Sequence, residues 1–113
     1  MEMGEEFYPE LIRNLPEADI NWPGLRGWLV GNESGLVVFF ECDEPTEVGE
    51  HAHGAQFGIV LNGVIELKIE GKLRVCRRGD TFYIPAGAKH SASLSAGFRS
   101  IDVFEEADRY KAK

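Results

Sequence analysis

Residues 51–63 read HAHGAQFGIVLNG, and two of the chain's three histidines stand in them ahead of an apolar alternation. In extended backbone, side chains alternate between two faces, so His51 and His53 at i, i+2 project to the same side. Gln56, Gly58 and Val60 share one face of the segment that follows, and Phe57, Ile59 and Leu61 share the other. Asn62-Gly63 is a strong hairpin signal, so the stretch predicts a strand over 55–61 that turns back at once.

Working outward, 65–70 reads IELKIE, apolar and charged residues alternating without a break. Such a run fits a strand with one buried and one wet face, whereas a helix would carry its charges into the core. The same reasoning predicts strands over 25–30, 36–42, 72–76, 80–84, 90–95 and 98–104. Turns are expected at Gly31, 45–49, Gly79, 85–87 and 96–97. Eight short strands at this spacing predict an all-β sandwich or barrel of two sheets. Segment 7–23, broken by Pro9, Pro16 and Pro23, is expected to wrap the outside or reach a partner, and 105–113 to form a helical turn.

With 113 residues the chain makes one domain, 1–113. Twelve Lys and Arg against nineteen Asp and Glu leave a net charge of −7, which opposes nucleic acid and anionic membranes as partners. The one basic cluster, KLRVCRR at 72–78, reads as a solvated strand face. Cys42 and Cys76 follow no CxxC spacing, so they are expected to be reduced, buried thiols. The acidic opening MEMGEEF resembles neither a signal nor a transit peptide, and no run approaches spanning length. A cytoplasmic protein is expected.

The third histidine, His90, closes the stretch GDTFYIPAGAKH at 79–90. The two stretches, in this order, resemble the paired motifs of the cupin family. The first resemblance is carried by Gly49, His51, His53, Gln56 and Gly63, and the second by Gly79, Pro85, Gly87 and His90. The core motifs therefore span 49–63 and 79–90. The resemblance implies a double-stranded β-helix, the jelly-roll barrel, with a short irregular N-terminal segment and a short C-terminal tail. It also implies His51, His53, Gln56 and His90 as ligands of one divalent transition metal ion: Zn, Ni, Fe, Co or Mn. Gln56 stands where the family usually has glutamate. A neutral carboxamide leaves the cation its full charge, making it a stronger Lewis acid.

In 98–104, alternation puts Phe98, Ser100, Asp102 and Phe104 on one face and Arg99, Ile101 and Val103 on the other. If the first set faces the barrel, Asp102 is an inward carboxylate, which is costly unless it is paired or functional. A narrower resemblance joins HAHGAQ, the strand ending IDVF and the arginine soon after. These are similar to the pectin-degradation cupins that isomerise 4,5-unsaturated uronates. That resemblance implies catalytic roles for Asp102, Phe104 and Arg109, with Asp102 moving a proton and Arg109 neutralising an acid group. Phe39 and Glu41 are candidates for the pocket wall, because the opening strand of a cupin often lines it. Trp28, Phe39, Phe57, Phe82 and Tyr83 read as packing residues.

The functional expectation is a small metal-dependent isomerase or lyase of a sugar acid or another enolisable carbonyl compound. The alternatives are a non-catalytic ligand-binding or sensory cupin and an iron-dependent dioxygenase. The expected partners are a small-molecule ligand or substrate in the barrel and a second copy of the chain, since symmetric pairs are the commonest assemblies.

Overall fold

The computed structural model describes residues 6–113; residues 1–5, part of the acidic opening discussed above, lie outside that range. Its elements run α1 (Glu10–Arg13), β1 (Leu25–Asn32), β2 (Gly35–Cys42), β3 (Thr46–His51), β4 (Gln56–Asn62) and β5 (Val64–Ile69). They continue as β6 (Lys72–Arg77), β7 (Thr81–Ile84), β8 (His90–Leu94) and β9 (Arg99–Phe104). Two antiparallel sheets result, one in the order β1-β2-β9-β4-β7 and the other β3-β8-β5-β6. This is the expected jelly roll.

The predicted alternation decides which side chains face inward. Leu36, Val38 and Phe40 of β2, Val60 of β4, and Phe82 and Ile84 of β7 are buried on the inner side of the five-stranded sheet. Ile65 and Leu67 of β5 and Leu94 of β8 meet Val60, Phe82 and Ile84 from the other sheet, while Leu36, Val38 and Phe40 form a second cluster with Ala18, Leu29 and Phe104. Gly58 sits on the inner face of β4 opposite Phe82, and a Cβ there would run into the Phe82 ring. Gly63 has φ 77°, and its absent Cβ would also press on the Phe98 backbone at 2.9 Å, so this turn demands glycine twice over.

Two local expectations need correction. The turn expected at 45–49 is largely β3, which pairs Thr46, Glu47 and Val48 with Leu94, Ser93 and Ala92. Pro45 and Gly49 read as breakers, but pairing with a strand distant in sequence, β8, overrides them. The tail 105–113 makes turns and one bridge, Ala112 to Ala18, and no helix. Segment 7–23 wraps the outside of the barrel, one of its two expected courses, and contains the short α1: Tyr8 Oη donates to the Phe40 carbonyl at 2.8 Å.

Cys42 and Cys76 are free and buried, and burial raises both thiols above their ordinary range. No helix among the described residues is long and apolar enough to cross a membrane.

Candidate metal centre

His51 ends β3, His53 follows it in irregular backbone, and His90 opens β8 directly opposite His51. A further hydrogen bond ties the two motifs together: the Gly87 N–H donates to the His53 carbonyl at 2.8 Å. Gly87 has φ 79°, and the turn that it allows delivers His90 to the barrel mouth.

The three imidazoles converge, with ligand atoms within 4.8 Å of one another. Each ring is oriented by a backbone carbonyl. His51 Nδ1 lies 2.8 Å from the Gly49 oxygen, His53 Nδ1 2.7 Å from the Gly54 oxygen, and His90 Nδ1 2.9 Å from the Ala88 oxygen. A carbonyl can only accept, so each Nδ1 carries the proton and each neutral ring keeps its lone pair on Nε2. Burial lowers the pKa of His51 and takes that of His53 down to about 4, against the hydrogen bonds to Gly49 and Gly54. The positive charge of Arg109 acts in the same direction as burial on both rings. Three neutral rings with fixed tautomers and free Nε2 atoms suit a divalent cation, so the residues present fit a metal.

A cavity of about 70 Å³ lies beneath them, lined by His51, His53, His90, Gln56, Ser100, Asp102 and Phe104 over an apolar floor. Gln56 projects inward from the start of β4 and donates its amide Nε2 to Asp102 Oδ2 at 2.6 Å. Asp102 is 2% exposed and also accepts from Ser100 Oγ at 2.6 Å. Burial raises the Asp102 carboxyl to about 6, against the two hydrogen bonds, which favour its ionised form. Neither Arg99 nor Arg74 pairs with it: Arg99 bonds Asp43 and approaches Glu41. Phe104 packs against His53, with ring centroids 5.6 Å apart.

Above this cavity opens a mouth of about 600 Å³ that shares His51 and His53 and is walled by Trp22, Arg109, Asp108 and Lys111. Arg109 stacks over the Tyr110 ring at 4.3 Å, and its Nε is buried with no hydrogen-bond partner among the described residues. The Phe39 and Glu41 expectation is corrected: both lie on the outer face of β2, and the pocket-lining residue there is Phe40. Strand parity alone separates these neighbours, and the register of β2 against β9 puts Phe40 opposite the inward Ser100. Trp22, missing from the candidate residues, stands 5.8 Å from the His51 ring. It sits in an irregular segment with no periodicity, so no local pattern could have assigned it to the mouth.

The cupin domain family matches residues 39–96, which hold both motifs. The chain belongs to the cupin family. No curated protein matches this cupin in sequence. Among solved structures, it resembles KdgF from Halomonas sp. at 26% identity and TM-score 0.67, over 76% of this chain and 86% of that one. An RmlC-like cupin from Shewanella frigidimarina is also 26% identical, with TM-score 0.76 over 93% of this chain and 95% of that one. Salicylate 1,2-dioxygenase from Pseudoaminobacter salicylatoxidans shares the fold at 17% identity and TM-score 0.66, over 74% of this cupin and 25% of that chain.

Proposed function

We propose that this cupin is a metal-dependent isomerase or lyase of a sugar acid, with 4,5-unsaturated uronates as the substrate class. The observation that carries the reading is the placement of one carboxylate, Asp102, in the cavity lined by the three histidines. The likeness to KdgF and the resemblance to the uronate-isomerising cupins point the same way.

His51, His53 and His90 would hold the ion, with the Gln56 carbonyl oxygen as fourth donor, since the Gln56 amide nitrogen is engaged by Asp102. A divalent cation there supplies Lewis acidity toward a substrate oxygen. Asp102 serves as the base that takes a proton from the carbon beside a carbonyl and returns it elsewhere on the substrate. Its carboxyl, held at about 6, is close to the range in which a group can both accept and release a proton at neutral pH. Ser100 and Gln56 hold the carboxylate in place through its two oxygens.

The inner cavity has room for a cation and the reacting end of a substrate beside Asp102, so the rest of a ring-sized substrate occupies the wider mouth. There the positive charge of Arg109, which lines the mouth, offers an anchor for a substrate carboxylate. Trp22 supplies a flat apolar wall beside His51, suited to the CH face of a sugar ring.

The test is to strip the protein of metal, reload it separately with Zn, Ni, Fe, Co or Mn, and follow the ultraviolet absorbance of a 4,5-unsaturated uronate. Metal-dependent loss of absorbance is expected. No loss with any metal contradicts the substrate class. Binding without turnover makes this a ligand-binding cupin, and oxygen uptake by the iron form makes it a dioxygenase.

A further inference from the structure

The mouth and the inner cavity meet at a neck. Among the described residues, three line both spaces: His51, His53 and Tyr110. The two histidines belong to the proposed metal centre, which leaves Tyr110 as the neck residue to which no role has been given. A molecule that extends from the mouth to Asp102 passes this phenol.

The Tyr110 ring is fixed from several sides. Phe40 and Phe104 meet it edge to face, with centroids 5.9 and 5.7 Å away, and the Arg109 guanidinium covers it at 4.3 Å. The backbone that follows is pinned to the N-terminal segment. The Asp19 N–H donates to the Lys111 carbonyl at 2.7 Å, the Lys113 N–H donates to the Glu17 carbonyl at 2.9 Å, and Ala112 bridges Ala18. A side chain held in this way loses little conformational freedom when a ligand arrives.

Burial raises the Tyr110 phenol above its ordinary range, and the charge of Asp102 raises it further against the opposing charge of Arg109. The phenol therefore stays protonated at neutral pH and presents an O–H donor. It stands within electrostatic reach of both groups that the proposed reaction uses, the anchor and the base. Resting on the sugar-acid reading of the site, we infer that Tyr110 is a further substrate-contacting residue. Its O–H donates a hydrogen bond, at the neck, to the substrate oxygen that lies between the carboxylate held by Arg109 and the carbon at which Asp102 moves a proton.

A 4,5-unsaturated uronate carries an oxygen on the same carbon as its carboxylate. With the acid group at Arg109 and the reacting carbon at Asp102, that oxygen is left to the neck. As Asp102 takes a proton from the carbon beside a carbonyl, the electron pair of the C–H bond passes to the carbonyl oxygen, and it returns to carbon when the proton is given back. Tyr110 keeps its own proton throughout. Its hydrogen bond strengthens as charge grows on the oxygen, so it acts on the rate more than on binding.

Two measurements on the metal-loaded whole chain test the inference. In steady-state kinetics with a 4,5-unsaturated uronate, Tyr110→Phe keeps the ring and its contacts and is expected to lower kcat about tenfold or more, with KM within about threefold of wild type. A wild-type kcat in Tyr110→Phe overturns the inference and leaves the sugar-acid reading standing. The second measurement is fluorine NMR of zinc-loaded Asp102→Asn protein labelled with 3-fluorotyrosine, its three signals assigned with Tyr8→Phe and Tyr83→Phe. The same uronate should shift the Tyr110 signal and leave in place those of Tyr8 and Tyr83, which line neither space. This arm decides if Tyr110→Phe does not fold. If no metal form turns the uronate over, the sugar-acid reading fails by itself: a Tyr110 signal that still moves keeps the neck contact, and one that stays fixed overturns the inference as well.

Discussion

Gln56 and Asp102 are joined side chain to side chain, amide Nε2 to carboxylate Oδ2 at 2.6 Å, across the β4–β9 ladder. An ionised carboxylate can only accept, so the pairing fixes which end of the Gln56 amide is free. Two roles proposed for this site, a neutral oxygen donor and a proton-moving carboxylate, are therefore held in one unit.

Asp102→Asn should keep the shape of that unit while removing the base. Turnover of a 4,5-unsaturated uronate by the metal-loaded variant is expected to fall by about 10²-fold or more. Metal content should remain near that of the wild type. Activity within a factor of about three of wild type would remove Asp102 from the chemistry.

Arg109 and Trp22 are expected to act on binding. Arg109→Gln should raise KM by about tenfold or more, with a smaller change in kcat, because an anchor far from the reacting atoms contributes uniform binding. Trp22→Ala should raise KM as well, and Trp22→Phe should restore part of the loss by keeping a flat wall. Steady-state kinetics on the three variants checks this, and an unchanged KM in Arg109→Gln contradicts the proposed carboxylate anchor.

Acid should weaken the metal-free protein in a window set by His53. Burial lowers its folded pKa from 6.5 to about 4, so the unfolded chain takes up the proton first. Stability from this neutral ring is fully present above about 6.5 and is lost as pH falls through about 4. Asp102 works in the opposite sense: its folded value is raised from 3.8 to about 6, so the stability of its neutral form is lost as pH rises through about 6. Melting temperatures of chelator-treated protein between pH 4 and 7 should fall less toward acid in His53→Gln than in the wild type. They should fall more steeply in Asp102→Asn.

Gly58→Ala tests the packing that shapes the cavity. The added methyl meets the Phe82 ring inside a filled core, and overpacking of this kind costs about 1–3 kcal/mol. Urea denaturation should show that loss. An unchanged midpoint would mean that Phe82 moves aside freely.

Much of this architecture was legible in local pattern. The alternation in 56–60 and 98–104 fixed the inward set, because a strand has only two faces: Gln56, Ser100, Asp102 and Phe104 all line the cavity. The strand β3 was hidden by Pro45 and Gly49, since its warrant is pairing with β8 and not its own composition. Phe39 and Glu41 point outward because β2 pairs with β9 in a register that the sequence of β2 does not contain. Trp22 reaches the mouth through the path of an irregular segment pinned by the Glu17–Trp28 and Ala18–Ala112 bridges, which no periodicity encodes.

The proposed chemistry depends on three imidazoles sharing one ion, and the most direct measurement counts that ion. Metal-stripped protein titrated with zinc or cobalt should bind one equivalent per chain, and His90→Ala should retain its β-sheet spectrum while losing that binding. A stripped chain that takes up no divalent ion at micromolar concentration, or a His90→Ala variant that binds as the wild type does, contradicts it.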